Sequence, residues 1–268
     1  MHVSLAVVCI QVLTFFKFDI TLNYSLLLFT FLSTLVAYNF IKYFELSLAK
    51  GILYSKSLKL IYSITIVSFI SCLFIIPMLS NLELITIFII SSLTVLYILP
   101  INSLNKQKKN LRNTEGIKIF IVAATWSLLT VLLPIIDFFD KIDVIGVIYF
   151  IQIFIYVFVA IIPFDIRDLN LDIKNLNTVP QNIGIQRAKN LGIILLFVFI
   201  ILDFVQIILL EHVNLTSVLI NIIICIILSI LLFNSRKNQT KYYASFWVES
   251  LPIFWLLLNL ILYYLRPF

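Results

Sequence analysis

Charge is scarce in this chain. Only 12% of its 268 residues are Asp, Glu, Lys or Arg, against 62% hydrophobic residues. A soluble domain of this length covers its core with roughly 25% charged residues. The deficit therefore excludes an ordinary water-soluble globule. Glycine and proline are also few, at 5 and 7. That composition excludes collagen-like and Gly/Pro-rich disordered chains. The three cysteines, Cys9, Cys72 and Cys225, lie far apart in apolar runs. They form neither a disulfide framework nor a zinc spacing, and read as small buried hydrophobes. Strict polar–apolar alternation over segments of about ten residues, the mark of a membrane β-barrel, is absent too.

What remains is apolar run after apolar run. Mean hydropathy is +1.11. The runs approach about 20 residues, enough to cross a hydrocarbon layer of ~30 Å as a helix. The expected fold class is all-α: a single integral membrane domain over 1–268, a polytopic bundle of about nine helices. The spans are expected at 3–18, 24–44, 58–78, 82–99, 116–136, 144–163, 188–210, 213–233 and 242–265. The first lacks a basic leader and a small-residue cleavage site, so it reads as a span and not a signal peptide.

The loops alternate in charge. Of the 19 Lys and Arg residues, 16 fall on one side of this arrangement. The other side holds only Lys17, Lys141 and Arg266. By the positive-inside rule the basic side is cytoplasmic, with the N-terminus inside and the C-terminus outside. The net charge of +6 is then a topology signal. Its bases are scattered over four loops, so no nucleic-acid partner is expected. The long loops, 100–115 and 164–187, lie on that same side, where function is expected. The localisation that follows is a multi-pass protein of the cell membrane. Heavy use of Ile, Asn, Lys and Phe points to a bacterial inner membrane.

The stretch richest in chemistry runs from Phe164 to Pro180. It carries Asp165, Asp168 and Asp172. On a helix, Asp168 and Asp172 stand at i and i+4 and share a face. Like charges there call for a cation between them. Mg²⁺ suits one or two carboxylates plus substrate phosphates. Arg167 and Lys174 flank the pair and suit a diphosphate. The alternative is a solvated charged loop without a ligand.

The run Ile166-Arg167-Asp168-Leu169-Asn170-Leu171-Asp172, followed by Lys174, Thr178 and Gly184, resembles the second aspartate-rich motif of the UbiA-type membrane prenyltransferases. The segment Leu111–Lys118, with Arg112, is similar to that family's middle loop. The resemblance implies nine helices, with motif loops on the cytoplasmic side after the second and sixth. It implies transfer of an isoprenyl group from an isoprenyl diphosphate to an aromatic or other lipophilic acceptor, with Mg²⁺ as cofactor. It assigns Asp168 and Asp172 as catalytic metal ligands, joined by Asp165. Asn39, Tyr43, Arg112, Lys174 and Thr178 become substrate contacts. The first motif departs from the family pattern. Asn39 matches, but Phe40, Tyr43 and Ser47 stand where the family has aspartates, and Glu45 is out of register. Half of the two-metal clamp is thereby missing. Aromatic faces stabilise an allylic cation, and Tyr38, Phe40, Tyr43, Tyr156 and Phe164 lie near the required helix ends.

Other polar residues fall inside the apolar runs. Glu249 is a candidate functional acid because a carboxylate at membrane depth is costly. Thr125, Ser127 and Gln152 are expected to bond between helices. Asp203 and Gln206 are expected near the outer end of their helix, within reach of water. His2 and His212 receive no role. Two further readings compete with the transferase: a non-catalytic isoprenoid- or quinone-binding relative, favoured by the degraded first motif, and a small transporter. A transporter calls for paired midplane polar residues or Gly/Pro-broken helices. Pro77 and Pro252 lie nearer helix interiors, but no glycine accompanies them.

Overall fold

The computed structural model describes residues 1–50, 56–98, 100–102, 108–110, 116–139, 142–169, 178–210, 215–240 and 242–264. Asp172, Lys174 and Arg112, as well as His212, lie outside them.

Apart from a short antiparallel pair, β1 (Pro100–Asn102) with β2 (Lys108–Asn110), every element described is helical. In chain order these are α1 (His2–Lys17), α2 (Tyr24–Lys50), α3 (Lys56–Ile75), α4 (Asn81–Ile98), α5 (Ile117–Ser127), α6 (Leu133–Phe139), α7 (Val144–Asp168), α8 (Val179–Ile183), α9 (Ile185–Leu210), α10 (Leu215–Asn234) and α11 (Leu251–Tyr264). A π-helical stretch, Leu128–Leu132, joins α5 to α6, so the three run on as one rod. A second π-helical stretch, Tyr243–Val248, leads into α11.

Among the described residues, seven helices are long and apolar enough to cross a membrane. Two other apolar helices, His2–Lys17 and Asn81–Val95, are shorter. At 1.5 Å per residue, α1 with its 16 residues spans about 24 Å. Ala6, Ile10, Gln11 and Thr14 are fully buried, and α1 packs on α2, α11 and the Leu128–Leu132 stretch.

Polar caps start several helices. The Asp143 carboxylate accepts from the Gly146 N–H at 2.7 Å, opening α7. Asn23 Oδ1 accepts from the Leu26 N–H at 3.0 Å, opening α2. At α4, Ser80 Oγ accepts from the Glu83 N–H and Glu83 Oε2 accepts from the Ser80 N–H, a reciprocal capping box. Each cap satisfies N–H groups that a helix start leaves without partners.

Two buried clusters form the interior. The larger is built on α7, α9, α10 and α11, with Ile153, Tyr156, Ile162, Leu228 and Trp255 among its members. The smaller joins α1 to α2, α3, α4 and the Leu128–Leu132 region. Outside them lies a belt of exposed apolar side chains, including Ile66, Phe69 and Phe74 on α3, Phe197 and Phe204 on α9, and Ile226 and Phe233 on α10. Such a belt is far larger than a soluble monomer tolerates. All three cysteines are buried and free, as the sequence suggests.

The helix ends sort into two sets. At one end, Lys118 meets Asp165, Gln239 bonds the Pro163 carbonyl and Lys189 bonds the Phe233 carbonyl. At the other, Asn23 and Ser80 both bond Asp137. The first set contains the basic loops, and is called the basic end below.

Candidate functional site

The sixth apolar run does not stop at Pro163. The α7 helix continues through it to Asp168, and Gln239 Nε2 donates to the Pro163 carbonyl at 2.8 Å. The helix carries Asp165 and Asp168 one turn apart at the basic end. Neither stands without a cation. Asp165 is buried, and Lys118 Nζ reaches its Oδ1 at 3.1 Å, tying the start of α5 to the end of α7. Asp168 accepts two bonds from its neighbour Arg167, Nε to Oδ1 at 2.7 Å and Nη2 to Oδ2 at 2.8 Å. This two-pronged geometry is the strong form of an Arg–carboxylate pair. The guanidinium also sits 5.3 Å from the centroid of the Phe164 ring. Thr178 is buried and starts α8, where its N–H donates to Gln181 Oε1 at 3.1 Å.

Across the same end, α1, α2, α3 and the Tyr243–Val248 stretch line a half-open cavity of about 350 Å³. Its polar side chains are His2, Tyr38, Asn39, Lys42, Tyr43, Ser245 and Glu249, and Met1 lies beside them. Asn39 and Tyr43, both expected substrate contacts, are therefore brought together. Asn39 Nδ2 donates to Thr65 Oγ1 at 2.9 Å, which fixes α2 against α3. The Tyr43 carbonyl accepts from Tyr62 Oη at 3.2 Å. Lys42 Nζ lies 5.4 Å and 5.5 Å from the Tyr38 and Tyr43 ring centroids. Arg167 lies within electrostatic reach of Tyr38 and Glu249.

Glu249 owes its position to the π-helical stretch before it. Its N–H bonds the Ala244 carbonyl, five residues back, at 3.3 Å. A regular helix would bond four residues back. The extra residue rotates the carboxylate into the cavity. There, Oε2 lies 3.4 Å from His2 Nδ1, and the imidazole stacks on Phe246. The sequence assigned His2 no role; the structure gives it this pairing.

The donor set for a divalent cation is thin. Among the described residues, no three His, Cys, Asp or Glu side chains gather as a metal-binding group. Asp165 and Asp168 would each have to leave a cation of the chain itself. The described residues thus do not fit Mg²⁺ as they stand.

The aromatic candidates separate. Tyr38 and Tyr43 line the cavity, Phe164 carries Arg167, and Phe40 is exposed. Tyr156 is buried in the larger core with its ring 5.2 Å from Trp255, away from the cavity lining.

No protein-family model, curated protein or solved structure matches the chain. Its sites are therefore read from their own chemistry.

A second polar cluster lies inside the larger core. Gln152 Nε2 donates to Asp203 Oδ1 at 2.9 Å and to the Phe199 carbonyl at 3.0 Å. Asn221 Nδ2 donates to Asp203 Oδ2 at 2.8 Å. Gln206 Nε2 donates to Gln152 Oε1 at 2.6 Å, and Trp255 Nε1 to Asn221 Oδ1 at 3.1 Å. Asp203 and Gln206 are each 3% exposed, which corrects the expectation that water reaches them. Gln152 does bond between helices as expected. The Thr125 and Ser127 hydroxyls do not; they donate to carbonyls of their own helix, Ile121 and Ala123. Gln152, Asp203, Gln206 and Asn221 are polar residues within apolar runs, and that pattern is the signal by which the cluster could have been found.

Proposed function

We propose that this chain is a UbiA-type membrane protein, a nine-span bundle with its basic end in the cytoplasm of a bacterial cell, that receives an isoprenyl diphosphate at that end. In this reading it transfers the prenyl group to a lipophilic acceptor. The observation that supports it is that cations and aromatic rings of α2 and α7 share the basic end of the bundle. Asn39, Lys42 and Tyr43 from one, and Arg167 with Asp168 from the other, come to the same end of the bundle. Those are the two helices whose ends the family resemblance assigns to the substrate. The two helices shorter than a bilayer count as spans here because α1 lies inside the bundle and α4 begins at a capped turn.

The chemistry asked of these residues is neutralisation of a leaving group. A diphosphate departs from an allylic carbon more easily when cations hold its oxygens. Lys42 lines the cavity, and Arg167 lies within electrostatic reach of Tyr38 and Glu249 in its lining. Arg167 suits a phosphate in two-pronged fashion, as it now suits Asp168. The faces of Tyr38 and Tyr43 suit the allylic cation. No step is routed through Mg²⁺, because the described carboxylates do not form its cage. Asp172, Lys174 and Arg112 remain candidates of the resemblance alone.

A second reading has an observation of its own. Asp168 is closed on Arg167, and Phe40, Tyr43 and Ser47 replace the first acidic motif. A protein that binds an isoprenoid or quinone without turning it over needs no metal clamp. Incubation with geranylgeranyl diphosphate, with and without a lipophilic aromatic acceptor, followed by measurement of released pyrophosphate and prenylated acceptor, separates the two. Acceptor-dependent release above a boiled control, matched by prenylated acceptor, supports transfer. Saturable binding without release supports the non-catalytic reading, and absence of both removes the proposal.

A further inference from the structure

The end opposite the basic end carries a polar junction that the proposed transfer does not use. The residues before α2 and α4 and the last turn of α6 meet there. The Ser80 hydroxyl donates to Asp137 Oδ1 at 3.1 Å, and the Ser80 N–H donates to Glu83 Oε2 at 2.7 Å. Asn23 Nδ2 donates to Asp137 Oδ2 at 3.2 Å. Two carboxylates are thus tied to one serine, and Asp137 lies within electrostatic reach of Glu83. The capping box accounts for half of the Glu83 carboxylate. Oε2 closes the start of α4, whereas Oε1 is buried and has no hydrogen-bond partner. The residue as a whole is 1% exposed.

A carboxylate oxygen taken out of water and left unpaired is costly. A second carboxylate on the same serine adds repulsion. A capping box asks only for a side-chain oxygen, which Gln also supplies, so the charge of Glu83 is surplus to the helix start. Among the described residues, Lys17 is the base on this side of the charge pattern, and it is engaged elsewhere. Its Nζ lies 4.9 Å over the Tyr149 ring and within electrostatic reach of Asp203. Two carboxylates and a hydroxyl are the donor types of a hard cation. Mg²⁺ demands near-ideal octahedral geometry, while Ca²⁺ accepts an irregular set of oxygens and completes it with water. We propose that Glu83 and Asp137, with Ser80 between them, bind a Ca²⁺ ion at this end of the bundle. Glu83 Oε1 and the Asp137 carboxylate supply the charge, and hydroxyl and water oxygens supply the remaining ligands. The ion clamps the start of α4 to the end of α6. In the orientation proposed above this face lies outside the cell, where calcium-binding modules work with a Kd of about 10⁻⁴–10⁻³ M. The site stands or falls independently of the diphosphate.

The test is titration calorimetry of CaCl₂ into the full-length protein, stripped of metal and held in a neutral detergent with a constant potassium chloride background. The wild type should bind saturably, with a Kd of about 10⁻⁴–10⁻³ M, and MgCl₂ should bind more weakly. Glu83→Gln keeps the capping box without the charge, and Asp137→Asn keeps an acceptor for Ser80. Each should weaken Ca²⁺ binding by about tenfold or more, because the affinity of such sites follows the charge of their ligands. Helical circular dichroism and a single elution peak check that each variant is folded. Thermal unfolding gives a second readout. Ca²⁺ should raise the midpoint of the wild type and leave that of Glu83→Gln unmoved. In EDTA the Glu83→Gln midpoint should be no lower than that of the wild type. A clearly lower one would show that the chain itself balances the charge, and overturns the proposal. Wild-type protein that binds no Ca²⁺ overturns it as well, with water alone holding Glu83 Oε1. Binding that is unchanged in folded Glu83→Gln places the ion elsewhere and also overturns it. Equal affinity for Mg²⁺ overturns the choice of Ca²⁺.

Discussion

Asp203 accepts from Gln152 and Asn221 in a core otherwise made of Ile, Leu, Phe and Trp. Removing it leaves two buried amide donors without their acceptor. Asp203→Leu should therefore destabilise the protein by about 2 kcal/mol, since an unsatisfied buried donor costs ~1–3 kcal/mol. Asp203→Asn, which keeps one acceptor oxygen, should cost less. Unfolding in mixed micelles, followed by circular dichroism, gives both values. Asp165 makes a related prediction at the basic end. Its carboxylate is nearly inaccessible, and the loss of one partner of such a pair costs more than the loss of both. Lys118→Met alone, which leaves the buried carboxylate without this cation, should destabilise more than Lys118→Met with Asp165→Asn. The same assay reads the difference, and equal losses would show that the pair does not act as a unit. At this scale the sequence was informative about which polar residues matter and poor about their partners. Glu249 was visible as an acid in an apolar run. Its partner His2 lies 247 positions away. No local pattern connects two residues so separated.

Among the elements, the spans were legible because lipid imposes a length and an apolar composition. The ends were less so. The proline at 163 suggested a stop, but α7 continues to Asp168. The chain loses one helical bond there, and Gln239 from another loop bonds the Pro163 carbonyl. The π-helical stretches at Leu128–Leu132 and Tyr243–Val248 were not readable, because an extra residue in a turn leaves no trace in an apolar run. Capping pairs do leave a pattern in the sequence. Ser80 with Glu83 has the spacing of a capping box, and marks the start of α4. One close helix approach gives a further prediction. A Cβ on Gly192 of α9 would fall 2.5 Å from Leu232 Cδ2 and 3.3 Å from side-chain atoms of Ile162 and Val159. The α7, α9 and α10 helices therefore meet at a position without a side chain. Gly192→Ala should be tolerated once the Leu232 end swings aside. Gly192→Leu should cost about 1–3 kcal/mol through overpacking, read as a lowered midpoint in the same micelle assay.

For the molecule as a whole, the charge pattern does the organising. Lys42, Lys59, Lys118, Arg167, Arg187, Lys189, Arg236 and Lys237 all occur at the ends of helices that meet one another at the basic end. The proposed orientation predicts that a single cysteine at Lys237, in a background with Cys9, Cys72 and Cys225 replaced by alanine, is shielded from a membrane-impermeant maleimide in intact cells and labelled after lysis. A cysteine at Asn23 should be labelled in intact cells. The reverse pattern would invert the bundle and move the cavity to the outside. The position of the candidate site was half legible. The resemblance pointed to the ends of the second and sixth spans, and Asn39, Tyr43, Asp165 and Asp168 are found at one end of the bundle. It did not reveal that Arg167 and Lys118 occupy the aspartates, because which cation a carboxylate selects depends on packing between helices distant in sequence.

The central claim is that the cavity end receives an isoprenyl diphosphate. Its most direct test is equilibrium binding of geranylgeranyl diphosphate to the purified wild type in detergent, with and without Mg²⁺. Asp168→Ala/Asp172→Ala and Lys42→Ala/Arg167→Ala are measured beside it. Binding to the wild type should be saturable and should weaken by at least tenfold in Lys42→Ala/Arg167→Ala. Wild-type protein that binds no geranylgeranyl diphosphate in either condition would contradict it.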